Sequence, residues 1–227
     1  MVTTQKVLPA DCAEGVVFKP VTQNSCPATG RDVKRIAMEK ACSFPPHSPI
    51  RTFVAVPLPD AAAKELEVFL NSLKTKAHLR WVKASQMHIT LRFLGEQTWE
   101  MLEKVRNALS SLQFCPFEIE LSYAGAFPNF HCPRVLWISG QKGMKELTSL
   151  AESVNKSLVD IGLPHEKRSF KPHLTLARTK GNPLPPELIT ALQHAPTLRW
   201  HCKSFDFMRS NLTPRGPVYA KIPLLTK

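Results

Sequence analysis

Met87-His88-Ile89-Thr90-Leu91 and Pro172-His173-Leu174-Thr175-Leu176 each set a histidine two residues before a threonine, among aliphatic side chains. In extended backbone, residues i and i+2 share a face, so each His-Thr pair points one way and the aliphatics the other. Two such strands side by side gather two imidazoles and two hydroxyls around one small space. That set suits proton transfer at a phosphate. An imidazole has an unperturbed pKa of about 6.5, so one can accept a proton from an attacking oxygen while the other supplies one to the departing oxygen. The hydroxyls of Thr90 and Thr175 can donate to the non-bridging oxygens. Strict alternation adds Arg92 to the face of His88, where it supplies positive charge, and sends Phe93 to the aliphatic face and the core.

A single His-x-Thr arises easily by chance, whereas two copies in aliphatic strands do not. His47, His78, His131, His165, His194 and His201 have no such company and read as surface or incidental residues.

Outward from the motifs, a strand is expected over Arg51–Val56. Asp60 should cap a helix carrying Leu66, Phe69, Leu70 and Leu73. Thr98 opens a second helix with Met101, Leu102, Val105 and Leu109 on its stripe, and Phe117–Tyr123 and Arg134–Ser139 read as strands. The second half repeats the logic with a helix over 142–161 and the strand Pro172–Arg178. A connection rich in proline (Pro183, Pro185, Pro186) leads to a short helix, and two final strands span Trp200–Leu212 and Pro217–Leu224. Each half delivers a helix and then a His-x-Thr strand, which predicts a degenerate internal duplication. The expected architecture is α+β, with two pseudo-symmetric lobes facing a central cleft.

Residues 1–49 show no sustained period and end in Phe44-Pro45-Pro46-His47-Ser48-Pro49, whose prolines deny both helix and ladder bonds. They are expected to form a poorly ordered N-terminal extension ahead of one domain over 50–227. The 227 residues carry 30 Lys and Arg against 18 Asp and Glu, a net charge of +12. Residues 1–49 hold six of the basic and four of the acidic groups, so the remainder is still +10. Such an excess steers polyanions, nucleic acid above all, inward. The chain has no apolar run long enough for a membrane span and no secretory leader, which predicts a cytoplasmic protein without membrane contact. Cys12, Cys26, Cys42, Cys115, Cys132 and Cys202 form no C-x-x-C pair and match no common zinc spacing, so reduced structural thiols and no metal site are expected. Nothing demands more than a monomer.

From Arg51 onward the chain resembles the two-histidine (2H) phosphoesterase superfamily. Within it the chain is most similar to the bacterial and archaeal LigT-like RNA 2′,3′-cyclic phosphodiesterases, also called 2′-5′ RNA ligases. The resemblance runs through Arg51-Thr-Phe-Val-Ala-Val-Pro-Leu-Pro59, Arg80-Trp-Val82, His88-Ile-Thr-Leu-Arg-Phe-Leu-Gly95 and Gly125-Ala-Phe-Pro128. It continues in Pro133-Arg-Val-Leu-Trp137, Phe170-Lys-Pro-His-Leu-Thr-Leu-Ala-Arg178 and Gly216-Pro-Val-Tyr219. It implies a bilobal fold of antiparallel sheets with outer helices. It also implies hydrolysis of terminal RNA 2′,3′-cyclic phosphates to 2′-phosphomonoesters without metal or cofactor. On that pattern His88 is the proton donor, His173 the proton acceptor, and Thr90 and Thr175 hold phosphate oxygens. The partners it implies are RNA 3′ ends bearing the cyclic phosphate, or small cyclic nucleotides. Arg178 closes the second motif and would assist with the phosphate, yet strict alternation puts it opposite His173 unless a strand end or bulge re-aims it. Trp81, Phe127 and Tyr219 are the aromatics expected to stack on RNA. Two rival readings are ligation through a 2′,5′ linkage, and an RNA-end-binding protein without catalysis, which would not require paired proton-transfer groups.

Overall fold

Where the apolar period is clean, the helices form as expected. The computed structural model describes residues 49–214 and 216–225, so the extension expected over 1–49 lies outside the described residues apart from Pro49. Helix α1 (Asp60–Lys74) buries Ala62, Ala63, Leu66, Leu70 and Leu73 on one stripe. Its N-cap is Pro59 and not Asp60, whose carboxylate instead sits in the first turn, where the helix dipole favours a negative charge. Helix α2 (Trp99–Ser111) starts as read: the Met101 amide donates to Thr98 Oγ1 at 3.3 Å. Helix α3 (Met144–Val159) buries Leu147, Leu150, Ala151, Val154 and Leu158, and helix α4 (Pro186–Leu192) follows the proline-rich connection.

Ten strands complete the described residues: β1 (Ile50–Pro57), β2 (Arg80–Trp81), β3 (His88–Gln97), β4 (Phe117–Leu121), β5 (Tyr123–Phe127), β6 (Val135–Ser139), β7 (Leu174–Arg178), β8 (Leu198–Cys202), β9 (Asp206–Thr213) and β10 (Gly216–Ile222). The expected strand over Phe117–Tyr123 divides at Ser122, so that β4 and β5 join different sheets. The expected strand over Trp200–Leu212 likewise breaks at residues 203–205 into β8 and β9.

All strand pairs are antiparallel. The main sheet runs β10-β9-β1-β3-β7-β6-β5, with β2 also on β7, and β4 and β8 form a separate ribbon. Its two halves meet at a single residue pair, Ile89 opposite Leu174, both fully buried. The lobes are therefore real, but they are not the two halves of the sequence. Strands β5 and β6 precede the second motif and pair with its strand β7, whereas the C-terminal β9 and β10 return to β1 beside the first motif. Periodicity reports strands and faces, while strand exchange is set by pairing between segments distant in sequence. The core lies between the sheet and the helices, with Val54, Leu66, Leu70, Ile89, Leu136, Ile138, Leu174 and Leu176 fully buried.

Candidate active site

Strands β3 and β7 bring the two motifs together. Carried one residue either way from Ile89 and Leu174, the antiparallel register sets His88 across from Thr175 and Thr90 across from His173. The pair of buried aliphatics is thus the pivot of a local two-fold arrangement, with both imidazoles and both hydroxyls on the opposite face. His88, Thr90, His173 and Thr175 are all half-buried.

The histidines are held in the same way. His88 Nδ1 lies 2.9 Å from the Gln86 carbonyl and His173 Nδ1 lies 2.6 Å from the Lys171 carbonyl, in each case two residues upstream. A carbonyl can only accept, so Nδ1 carries the proton and Nε2 is left to exchange one with a ligand. Aromatic rings fix the imidazole planes. Phe53 stacks on His88 at 4.8 Å, and Tyr219 meets His88 edge-on at 5.1 Å. Phe127 does the same for His173 at 5.1 Å. Burial depresses the pKa of both histidines below the ordinary value, the carbonyl bonds partly offset this, and the positive charge of Arg178 lowers both further. His88 also feels the charge of His173, which places the two rings within electrostatic reach of each other. Burial raises the Tyr219 phenol, again with Arg178 acting against it.

The expected alternation fails after each threonine, in the same manner. On β3, Thr90 faces Ala55 and Arg92 faces Val54, so Leu91 is an extra residue. On β7, Thr175 faces Trp137 and Ala177 faces Leu136, so Leu176 is extra. A bulge of one residue moves everything after it to the other face. Arg178 is therefore turned back onto the face of His173 and stands exposed there. By the same slip Arg92 leaves the face of His88 and only 6% of it stays exposed. Its guanidinium donates to the Asn155 side chain, to the Asn155 carbonyl at 3.2 Å and to the Pro164 carbonyl. The expected phosphate contact from Arg92 is thus replaced by a tie between β3 and the C-terminal part of α3.

Phe93 is the counterpart of Arg178 in this arrangement. Expected in the core, it is 61% exposed and lies on the site face, 5.9 Å from Phe53. Trp81 moves the other way. It pairs with fully buried Ala177, packs against the core, and donates from Nε1 to the Ala77 carbonyl at 3.1 Å. Phe127 and Tyr219 do reach the site, as the rings around His173 and His88.

The match of the LigT like phosphoesterase family model covers residues 56–137 and 140–219. The chain belongs to that family. An RNA 2′,3′-cyclic phosphodiesterase of Archaeoglobus fulgidus is 37% identical to this LigT-like phosphoesterase over 171 residues, 75% of this chain and 96% of the relative. A relative of the same name from Aeropyrum pernix is 35% identical over 148 residues, 64% of this chain and 84% of its own. A crystal structure from Thermus thermophilus has 30% identity and a TM-score of 0.63, covering 77% of this chain and 96% of that one. Escherichia coli LigT complexed with 3′-AMP, at 22% identity and a TM-score of 0.65 with the same coverage, shares the fold.

Three participants of the LigT-like site escaped sequence reasoning. Phe53 lies in an aliphatic strand and gives no signal of its own. Trp137 crosses Gly125 so closely that a Cβ there would meet its ring at 2.3 Å. Its ring lies 5.0 Å from that of Phe127 and so backs the contact of Phe127 with His173. Lys171 supplies the carbonyl for His173, and its ammonium sits 5.9 Å from the Phe127 ring. Among the described residues no group of three or more His, Cys, Asp or Glu could hold a metal ion.

Proposed function

We propose that this protein hydrolyses 2′,3′-cyclic phosphate ends of RNA to 2′-phosphomonoesters by acid–base catalysis between His88 and His173, without a metal ion. What carries the reading is the paired geometry: two imidazoles, each pinned at Nδ1 by the carbonyl two residues upstream, flank one small space with two threonines. His173 Nε2 takes a proton from water as its oxygen attacks phosphorus. The P–O3′ bond breaks, and protonated His88 delivers a proton from Nε2 to the departing O3′. The product carries a 2′-phosphate and a 3′-hydroxyl, and proton exchange with solvent resets the pair. Thr90, Thr175 and the re-aimed Arg178 stabilise the charge that builds on the non-bridging oxygens. The assignment of donor and acceptor follows the family pattern. It also agrees with the aromatic surroundings of His88, where the half-buried Tyr219 ring suits a nucleoside and buried Phe53 backs the imidazole. The curated relatives named for this reaction support the substrate class.

The test is incubation of an RNA oligomer ending in 2′,3′-cyclic phosphate with the protein in EDTA, with the phosphate isomer of the product identified. Formation of a 2′-phosphate end is expected, with turnover falling by roughly 10²–10⁴-fold in His88→Ala and in His173→Ala. A protein that binds the RNA but converts none of it would overturn the assignment in favour of a binding role. Formation of a 2′,5′ linkage would move it to ligation.

A further inference from the structure

Beyond Ile89 and Leu174 the two central strands part company. Continued in register, β3 from Leu91 to Leu94 would run beside the chain leading into β7, but no ladder forms there and a groove opens. Arg92, Phe93 and Leu94 line one side and residues 163–168 the other, enclosing about 370 Å³. This falls within the ~300–1,000 Å³ of sites that hold small ligands. The floor is fixed, because Arg92 bonds to the Pro164 carbonyl and to Asn155 beneath it. The outer wall carries exposed Lys167 and Arg168, with Lys171 following at the approach to His173. Glu166 is the one carboxylate in this wall, and among the described residues it forms no ion pair with either cation: its side chain accepts from the Arg168 amide at 3.0 Å. The groove adjoins the catalytic face: the exposed Phe93 ring in its wall lies 5.9 Å from Phe53, which stacks on His88 at 4.8 Å.

We infer that this groove is a subsite for the RNA strand 5′ of the reacting nucleotide, with Lys167 and Arg168 on backbone phosphates and Phe93 under a base. The inference rests on the hydrolase reading and adds a preference for oligonucleotide ends over cyclic mononucleotides. The chemistry is that of single-strand binding in general, an exposed ring at the mouth of a cationic groove. A cyclic mononucleotide has no 5′ phosphate to place there.

The experiment compares wild-type protein with the double variant Lys167→Ala/Arg168→Ala on 2′,3′-cyclic AMP and on an RNA tetramer ending in cyclic phosphate. Lys64→Ala/Lys104→Ala, which removes two charges from α1 and α2, serves as control. Wild type should favour the tetramer in kcat/KM. The groove variant should lose roughly tenfold on the tetramer through KM, with a salt dependence shallower by about 1.4 in log–log slope for two phosphate contacts, and nothing on the mononucleotide. Equal losses on both substrates, no loss on either, or the same loss in the control variant would overturn the subsite. If wild type turns over neither substrate, the hydrolase reading fails separately. The affinity for a tetramer ending in 2′-phosphate then decides the subsite: unchanged affinity in the groove variant sinks it.

Discussion

Arg178 and Arg92 show how one bulge on each motif strand turns two arginines to opposite faces of the sheet. Arg178 stands on the catalytic face, and its charge reaches both imidazoles. Burial is the larger cause of their depressed pKa values, with Arg178 adding to it, so kcat/KM for a cyclic nucleotide should follow a bell centred below pH 6.5. Arg178→Ala removes a cation that disfavours the imidazolium forms. Both pKa values then rise, and the bell should move to higher pH as its height falls, which a pH–rate series on the variant measures. The two limbs belong to the coupled pair and not to either ring alone. Arg92→Ala should behave differently, because it deletes buried donors to Asn155 and Pro164. A loss of about 1–3 kcal/mol in denaturant unfolding is expected, with kcat/KM for a cyclic mononucleotide nearly unchanged at temperatures where the variant is folded. A collapse of turnover without loss of stability would return Arg92 to the phosphate.

At the scale of elements, β3 and β7 repeat a single construction of histidine, threonine, bulged leucine, core-facing residue and site-facing residue. The fifth place is Phe93 in one strand and Arg178 in the other, so the arrangement is two-fold in backbone and unequal in chemistry. The inequality puts an exposed ring after the first motif and a cation felt by both imidazoles after the second. The supporting strands matter as much as the motif strands. Gly125 on β5 gives Trp137 on β6 room to lie across the sheet, and Trp137 contacts Phe127, which contacts His173. In Gly125→Ala the new methyl displaces the indole, at a cost of about 1–3 kcal/mol for overpacking. Turnover should fall because Phe127, the ring that orients His173, loses the indole behind it, while a variant in the β4–β8 ribbon with equal stability loss should keep its turnover. Intrinsic tryptophan fluorescence, thermal unfolding and kcat together separate these outcomes. The motif strands and amphipathic helices were legible in the sequence because each is a local period. The bulges were not, since an extra residue in a ladder becomes visible only against the partner strand.

At the scale of the whole molecule, the family match spans residues 56–219, and the alignment with the Archaeoglobus fulgidus relative covers 96% of that protein. A chain beginning at Pro49 should therefore keep the kcat/KM of the full chain on a cyclic mononucleotide, measured side by side. A large loss would give residues 1–48 a part in the site. Because the lobes exchange strands, neither half of the sequence holds a complete lobe, and fragments cut between α2 and β4 should not fold separately. The sequence by itself determined the candidate chemistry: two His-x-Thr motifs in aliphatic strands give two imidazoles and two hydroxyls on a shared face, and with them the proposed class of reaction, because strand alternation is a property of a few adjacent residues. The tertiary structure decided the rest. Pairing between distant segments chose which strands form each lobe. The bulges at Leu91 and Leu176 chose which arginine stands exposed on the face of the histidines and which is buried. Burial of the two imidazoles, a property of packing and not of any one segment, chose how far below their ordinary range they titrate.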